Sequence, residues 1–392
     1  MRLDSLAARA IPDTRGRPTV EVTLTAGAHT ATASVPSGKS TGSHEAKELR
    51  DADGGVAGAL ANLEGEIASA VVGRDFASAD ELDHFLIKLD GTPDKSRLGA
   101  NTLLAVSIAA ARLDAQRTGV PLWKSIAARA LTTPAAPRLF LNFMNGGVHA
   151  DFKLPFQEYI LVVAGMTSAA LPVASDAFAK LGEKLGDVAM GDEGGYAPAF
   201  TTLEKPFELL TELTEAFPHT SLAIDAAASE FYADGAYTLL GKKYSASELA
   251  GVYRSLVAHH PLHSIEDPFF EDAASDFVTL TAALGSTVLV VGDDFTTTNP
   301  TRIEAARAAN AITAVLIKPN QIGTVAEAIN AVQMTQANGW AAICSHRSGE
   351  TDDTFIADFA YGVGAYGIKA GGLGQRERLE KYERLLAIEG EV

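Results

Sequence analysis

The chain has 392 residues, 47% of them hydrophobic and 21% charged, with a formal net charge of −17 at pH 7. That length suits two domains, or one barrel with an added cap, and that charge disfavours nucleic acid and anionic membranes as partners. The single cysteine, Cys344, excludes an intramolecular disulfide and a cysteine-based zinc site.

The first residues, MRLDSLAARAIPDTRG, contain no apolar signal core, and a cytoplasmic location is expected. TVEVTLTA and HTATASV then alternate like the two strands of an antiparallel hairpin. The loop that follows, ASVPSGKSTGSHEA, contains GKST and so raises the question of a nucleotide phosphate cradle. Ala33 stands where that cradle needs its first glycine, and Pro36 removes a backbone N–H from the loop. A hairpin before the loop also suits an antiparallel domain better than a βαβ unit. A loop that covers some other ligand is the favoured reading, and a plain surface turn is the alternative. Helical patterns run from about residue 55 to 130. Within them NTLLAVSIAAARLDA reads as a buried helix, too short and too interrupted to span a bilayer. Pro134 and Pro137 break the pattern, and the predicted domains are residues 1–130 and 131–392.

The second domain repeats one arrangement, an apolar run that ends in polar residues. SLAID ends at Asp225, LHSIED at Glu266 and Asp267, and TVLVVGDD at Asp293 and Asp294. AVLIK ends at Lys318, AAICSHRS at His346, Arg347 and Ser348, and AYGIK at Lys369. From Glu266 onward the spacing is about 25 residues, the length of one strand, one helix and two loops in a (β/α) barrel. Such barrels carry their chemistry at the C-terminal ends of strands. One charged strand end is well explained by solvation; six in succession are not.

Asp225, Glu266 and Asp293 would converge as three hard oxygen donors, which suits Mg²⁺. Lys318 and Lys369 would share that mouth, where a metal and a second cation lower a lysine pKa and make it a usable base. Arg347 and Ser348 suit a phosphate or carboxylate. GDEGGYAP sets Glu193 on a glycine-flanked loop, and NGGVHADFKLPFQEY adds His149 and Glu158. Taken alone, His149 reads as a structural or surface residue and Glu158 as a solvated strand end. Together the set suggests removal of a proton next to a metal-bound carboxylate, with acid-assisted loss of a β-hydroxyl.

These residues stand in segments that resemble the enolase (phosphopyruvate hydratase) family. The segments are DTRGRPTVEV, VPSGKSTGSHEAKELRD, NGGVHA, QEY, GDEGGYAP, DAAASEFY, SIEDPF, VVGDDFTTTNP, IKPNQIGT and SHRSGETDDTFIAD, in family order along nearly the whole chain. The resemblance implies an α/β fold: an N-terminal α+β cap on a C-terminal (β/α)8 barrel whose first strands and helices are irregular in order. It implies Mg²⁺-dependent dehydration of 2-phosphoglycerate to phosphoenolpyruvate in glycolysis. By resemblance, Asp225, Glu266 and Asp293 bind the tighter metal, Lys318 is the base at C2, and Glu193 is the acid at the 3-hydroxyl with Glu158 beside it. Lys369 faces the substrate carboxylate, while His149, Arg347 and Ser348 lie at the phosphate and His346 near the reacting end. Ser40 would reach a second metal as its loop closes, which makes the GKST segment a lid. The family forms dimers or larger assemblies.

The chain also departs from the family pattern. Lys39 stands where a small residue is usual, Arg17 where Asn is usual and Pro319 where Val is usual, and AGGLGQRERLEK follows Lys369. These departures keep the reaction type and open the substrate. The alternative substrate is 2-carboxyphosphonoglycerate, dehydrated to carboxyphosphonoenolpyruvate as in phosphonate and phosphinate antibiotic biosynthesis, with Lys39 meeting its additional negative group. The expected ligand is thus a small phosphorylated or phosphonylated hydroxy acid.

Overall fold

The computed structural model describes residues 1–39, 41–150 and 153–392. Ser40, expected at a second metal, lies outside the described residues. The N-terminal strands β1 (Ser5–Pro12), β2 (Pro18–Ala26) and β3 (His29–Ser34) form an antiparallel sheet in that order. The predicted hairpin is β2–β3; Gly27, at φ +61°, closes its turn in a backbone conformation that a Cβ disfavours. β1 escapes a periodicity reading because its residues are all exposed or half-buried. Val20, Val22 and Leu24 of β2 are buried, and the helix packed on this sheet is α2 below.

Helix α1 (Ala79–Asp90) begins at Ser78, whose hydroxyl accepts from Glu81 N at 3.2 Å, and ends at Gly91 in the left-handed region. Helix α2 (Ala100–Thr118) is the expected buried helix: it is Ala-rich, and its residues 100–111 are all buried. Small side chains let it pack against the sheet and the second domain together. Both helices bind the start of α3 (Val325–Ala337), a helix of the barrel. Ser107 Oγ accepts from Val325 N and Asp83 Oδ2 from Ala326 N, each at 2.9 Å, which satisfies two N–H groups that no helix can satisfy internally. Lys95–Glu327 at 2.8 Å and a two-bond Arg112–Asp353 pair at 2.7 Å complete the junction.

The barrel strands are β4 (Arg138–Asn145), β5 (Glu158–Val163), β6 (Thr220–Asp225), β7 (Leu262–Glu266), β8 (Leu289–Gly292), β9 (Ala314–Ile317), β10 (Ala341–Ser345) and β11 (Gly367–Lys369). They close in chain order, with β11 paired back to β4. Neighbours are parallel except at β5, which is antiparallel to both β4 and β6. The β4–β5 connection therefore carries no crossover helix, and two helices, Thr167–Leu185 and Glu204–Ala216, follow β5 instead. A small three-stranded sheet between β6 and β7 accounts for the longer interval from Asp225 to Glu266.

Inside the barrel, Phe140, Ile160, Val162, Val291, Leu316 and Ile343 form a separate buried cluster that fills its centre. At the N-terminal ends of the strands Tyr366 stacks on His263, and Arg138 lies over the Tyr366 ring. The barrel is a packed core, so ligands are confined to the opposite mouth. Among the described residues no helix is long and apolar enough to cross a membrane.

Candidate active site

The last residues of β4 and β6, Asn145 and Asp225, both pair with Glu158, the first residue of β5. Reversal of β5 thus brings Glu158 to the mouth from the wrong end of a strand. Asp225, Asp293, Lys318, His346 and Lys369 come to the same mouth from strand C-termini, and Glu193 and His149 from loops. All of them line one cavity, with ≈ 480 Å³ of space between atoms when its open mouth is included. Arg347 and Ser348 line it too. Glu266 is not on its wall; it is buried and meets the cavity through Lys369.

The turn after β8 is shaped by Asp267, to which sequence reasoning gave no role. Its Oδ1 accepts from Asp293 N at 2.9 Å and its Oδ2 from Asp294 N at 2.7 Å. Burial and then the Asp293 charge push the Asp267 carboxyl up to about 8, against those two bonds. Thr297 and Thr298 follow at φ +48° and +54°, where β-branched residues are rarely found. Thr298 Oγ1 accepts from Lys318 N at 2.9 Å, so this strained turn holds the start of the segment that carries Lys318.

Negative charge dominates the metal side. Lys369 Nζ lies 2.8 Å from both Glu266 oxygens and 3.0 Å from Asp225 Oδ2, and it also pairs with Glu158. Burial and then Asp225 push Glu266 well above the usual carboxylate range, with Lys369 opposing, and three carboxylates meet there around one ammonium. Lys318 pairs with Asp293. Burial lowers the Lys318 ammonium most, but the surrounding carboxylates, Asp293 first and Glu266 with it, carry the net direction upward, opposite to the expected lowering. The reason is that the charge nearest Lys318 is an anion. Among the described residues two groups have ligand atoms within 4.8 Å of one another: Asp267, Asp293 and Asp294, and separately Glu158, Glu193 and His346. The predicted Asp225, Glu266 and Asp293 set is not so gathered; Lys369 stands between two of its members. Asp267 already accepts two backbone N–H groups, which leaves it chiefly a shaping residue.

On the acid side, Asn142 Nδ2 donates to Glu158 Oε1 at 2.8 Å and to Glu193 Oε2 at 3.2 Å. His149 Nδ1 lies 3.1 Å from Glu193 Oε2 in ion-pair contact but without hydrogen-bond alignment. Burial raises Glu193, and His149 then carries it below the usual carboxylate range. Burial lowers His149, and Glu193 carries it above the ordinary histidine value. Asn142 Oδ1, Gln157 Oε1 and both His149 ring nitrogens are buried without a hydrogen-bond partner. Such orphans each cost free energy. Their concentration at this mouth is what a site built for a polar ligand requires.

The lid crosses the mouth from β3. Ser37 and Gly349 exchange backbone bonds at 2.8 and 2.9 Å, and Ala46 N donates to Gln321 O at 2.8 Å. Among the described residues no helix follows β3 until Ala57, whereas a phosphate cradle opens a helix directly at its GKST, which argues against that reading. Lys39 N donates to Ser348 Oγ at 2.7 Å, while Lys39 Nζ reaches Asp192 at 2.6 Å and Val148 O at 3.0 Å. Lys39 therefore lies at the rim, bridging the lid to the loops that carry Glu193 and His149. Arg347 makes bonds of 2.8 and 3.1 Å to Glu45 of the lid and one of 3.0 Å to Asn320. Sequence reasoning overlooked Glu45 and Asp192, whose carboxylates stand outside any apolar strand pattern, and it placed Asp267 at the end of one without giving it a role.

Family models match both parts of the chain: "Enolase, N-terminal domain" over residues 3–126 and "Enolase, C-terminal TIM barrel domain" over residues 134–392. The chain is 43% identical over 415 residues to the enolase of Methanopyrus kandleri, covering all of this chain and 96% of that protein. It is 41% identical over 407 residues to the enolase of Methanocaldococcus jannaschii, covering all of this chain and 95% of that protein.

Proposed function

The chain belongs to the enolase family and is a hydro-lyase of that superfamily; from this premise we propose that it dehydrates a 2-phosphoglycerate-like acid to phosphoenolpyruvate or a close analogue. The observation that carries the reading is one cavity shared by a lysine, a glutamate on a loop and an arginine–serine pair. Elimination needs a base at C2 and an acid at the 3-hydroxyl. We assign Lys318 as the base and Glu193 as the acid, with Glu158 beside it. To accept the C2 proton Lys318 must first lose its own. Burial, Arg347 and Lys369 favour that loss, and Asp293 opposes it. To protonate the 3-hydroxyl Glu193 must first carry the proton itself; His149, raised beside it, holds that proton at rest and would have to return it to Glu193.

We assign His149, Arg347 and Ser348 to the phosphate, Lys369 to the substrate carboxylate, and His346 to the reacting end. Asp225, Glu266 and Asp293 suit Mg²⁺ as hard oxygen donors at one barrel mouth, and Lys369 would have to give up its place between Asp225 and Glu266. A bound divalent ion supplies Lewis-acid stabilisation of the carboxylate as its charge grows. A second Mg²⁺ with Ser40 as ligand, a homodimer or larger assembly, and a cytoplasmic, glycolytic setting belong to the same proposal. So does the division into a cap of residues 1–130 and a catalytic barrel of residues 131–392.

A second reading rests on Lys39, a cation at the rim beside the loops that carry His149 and Glu193. It favours a substrate with one more negative group, such as 2-carboxyphosphonoglycerate. The test of both is turnover by the purified protein with Mg²⁺. Formation of phosphoenolpyruvate from 2-phosphoglycerate supports the first reading, turnover of the carboxyphosphono acid alone supports the second, and turnover of neither overturns both.

A further inference from the structure

The C-terminal helix α4 (Arg376–Glu391) sends one side chain beneath the mouth. Arg378 is 0% exposed, among the largest fully buried side chains of the protein. A guanidinium has five N–H donors, and each meets an acceptor. Nε donates to Gln375 Oε1 at 2.7 Å. Nη1 donates to His346 Nδ1 and, at 3.2 Å, to Arg347 O. Nη2 donates to Asp192 O and Ser348 O, both at 3.0 Å. None of these partners is a carboxylate.

The cradle is shaped for this side chain. Gly371 has φ +89°, and a Cβ there would stand 2.2 Å from Arg378 Cδ. Gln375, which accepts from Arg378, also donates to Asp192 O at 3.1 Å. Arg378 thus joins the turn that carries Glu193 to the segment that carries His346, Arg347 and Ser348. Its Nη1 also faces a ring nitrogen. Arginine has no acceptor and does not give up its proton. A ring nitrogen that accepts from it must be bare, so neutral His346 has to carry its proton on Nε2. Nε2 is the nitrogen directed at Glu158, 3.8 Å from Oε1.

We propose that Arg378 is a positioning residue for the dehydration: it locks His346 in the Nε2–H tautomer and ties the Asp192–Glu193 turn to the His346–Ser348 segment. The catalytic consequence rests on the function proposed above; the tautomer does not. A bolt that merely fastened the C-terminal helix would need the three backbone carbonyls and Gln375, but not His346 Nδ1.

The tautomer is read by ¹⁵N NMR of histidine-labelled protein at neutral pH, with His346 assigned by its loss in His346→Ala. The wild type is expected to show a protonated Nε2 and a bare Nδ1; a protonated Nδ1 as the main form overturns the proposal without any variant at Arg378. Arg378→Met keeps bulk and removes all donors. It is expected to populate the Nδ1–H form and to lower kcat about a hundredfold, the scale of a small misplacement of a catalytic group, with KM changed only severalfold. Arg378→Lys, which keeps charge and some donors, is expected to recover part of both effects. An Arg378→Met protein with an unchanged tautomer and wild-type kcat reduces Arg378 to a fastening and sinks the proposal. A tautomer shift in a protein whose wild type turns over no phosphoglycerate would retain the positioning role and overturn the function instead.

Discussion

The mouth and the lid use the same kinds of ion pair in different surroundings. At the mouth, the Lys369 side chain is 4% exposed and its Glu266 and Asp225 partners 5% each. At the lid, Lys39 is 32% exposed and Asp192 36%. Buried charges interact strongly and shift one another's protonation, whereas half-exposed pairs contribute little. Proton transfer therefore belongs to the mouth, where strand ends and buried loop residues hold each group. The proposed lid would need contacts weak enough to break each time ligand enters or leaves, and the half-exposed Lys39–Asp192 pair suits that.

If that contrast holds, the largest effects come from the mouth. Lys318→Ala removes the proposed base and is expected to lower kcat by about 10³-fold or more. It should also abolish exchange of the C2 proton with solvent. Glu193→Gln should slow hydroxyl loss but leave exchange measurable, since Lys318 is intact. Equal loss of exchange in both variants would break the division between base and acid.

Glu266→Gln tests the charge balance around Lys369. One of the proposed Mg²⁺ ligands becomes neutral, so Mg²⁺ affinity should fall by about a hundredfold, as read by calorimetry. EDTA should abolish turnover of the wild type. Unchanged Mg²⁺ affinity in the variant would shift the metal assignment toward Asp267, Asp293 and Asp294, the carboxylates already gathered in the structure.

The same contrast explains what was legible in the sequence. The ladder from Glu266 to Lys369 could be read because each strand–helix unit repeats the last. Glu158 could not, because β5 is reversed and its carboxylate precedes the apolar run instead of ending it. The interval before Glu266 hid a small sheet, and β1 offers no buried face to mark it. Arg378 sits in QRERLEK, which reads as a solvated helix face. Only the packing of that helix beneath the mouth singles it out. The lid's contacts join Lys39 to residues 109, 153 and 309 positions away, a separation that no local pattern encodes. There the family resemblance suggested a covering loop but none of these partners.

A third region, the junction of cap and barrel, gives a smaller effect on stability. Burial pushes the Asp83 carboxyl up to about 6 from its ordinary 3.8, with the Arg129 charge opposing. The folded state therefore binds this proton more tightly than the unfolded state. Asp83 contributes most below pH 3.8, and that contribution is lost as pH rises through about 6. The shift corresponds to about 3 kcal/mol. Asp83→Asn removes the titration, so the difference in unfolding free energy between wild type and variant should change by most of that amount, about 2 kcal/mol, between pH 4 and 6.5. Urea unfolding across the range checks it; a difference independent of pH would show that Asp83 titrates normally.

The smallest effect is expected at Lys39. Its pair with Asp192 is about one-third exposed on both sides, and such pairs contribute roughly 0.2–1 kcal/mol. Lys39→Ala should therefore weaken 2-phosphoglycerate binding by about fivefold at most, through a lid that is less often closed. High salt should mimic part of this loss in the wild type and none of it in the variant, because screening acts only where the charge is present. A ligand with an additional negative group changes the comparison. It competes with Asp192 for the ammonium, and a charge-assisted contact to it contributes roughly 1.5–3 kcal/mol. Loss of the lysine should then cost the carboxyphosphono acid about ten- to a hundredfold in KM, selectively over 2-phosphoglycerate. Equal small losses for both substrates would confine Lys39 to holding the lid and leave 2-phosphoglycerate as the better-supported substrate.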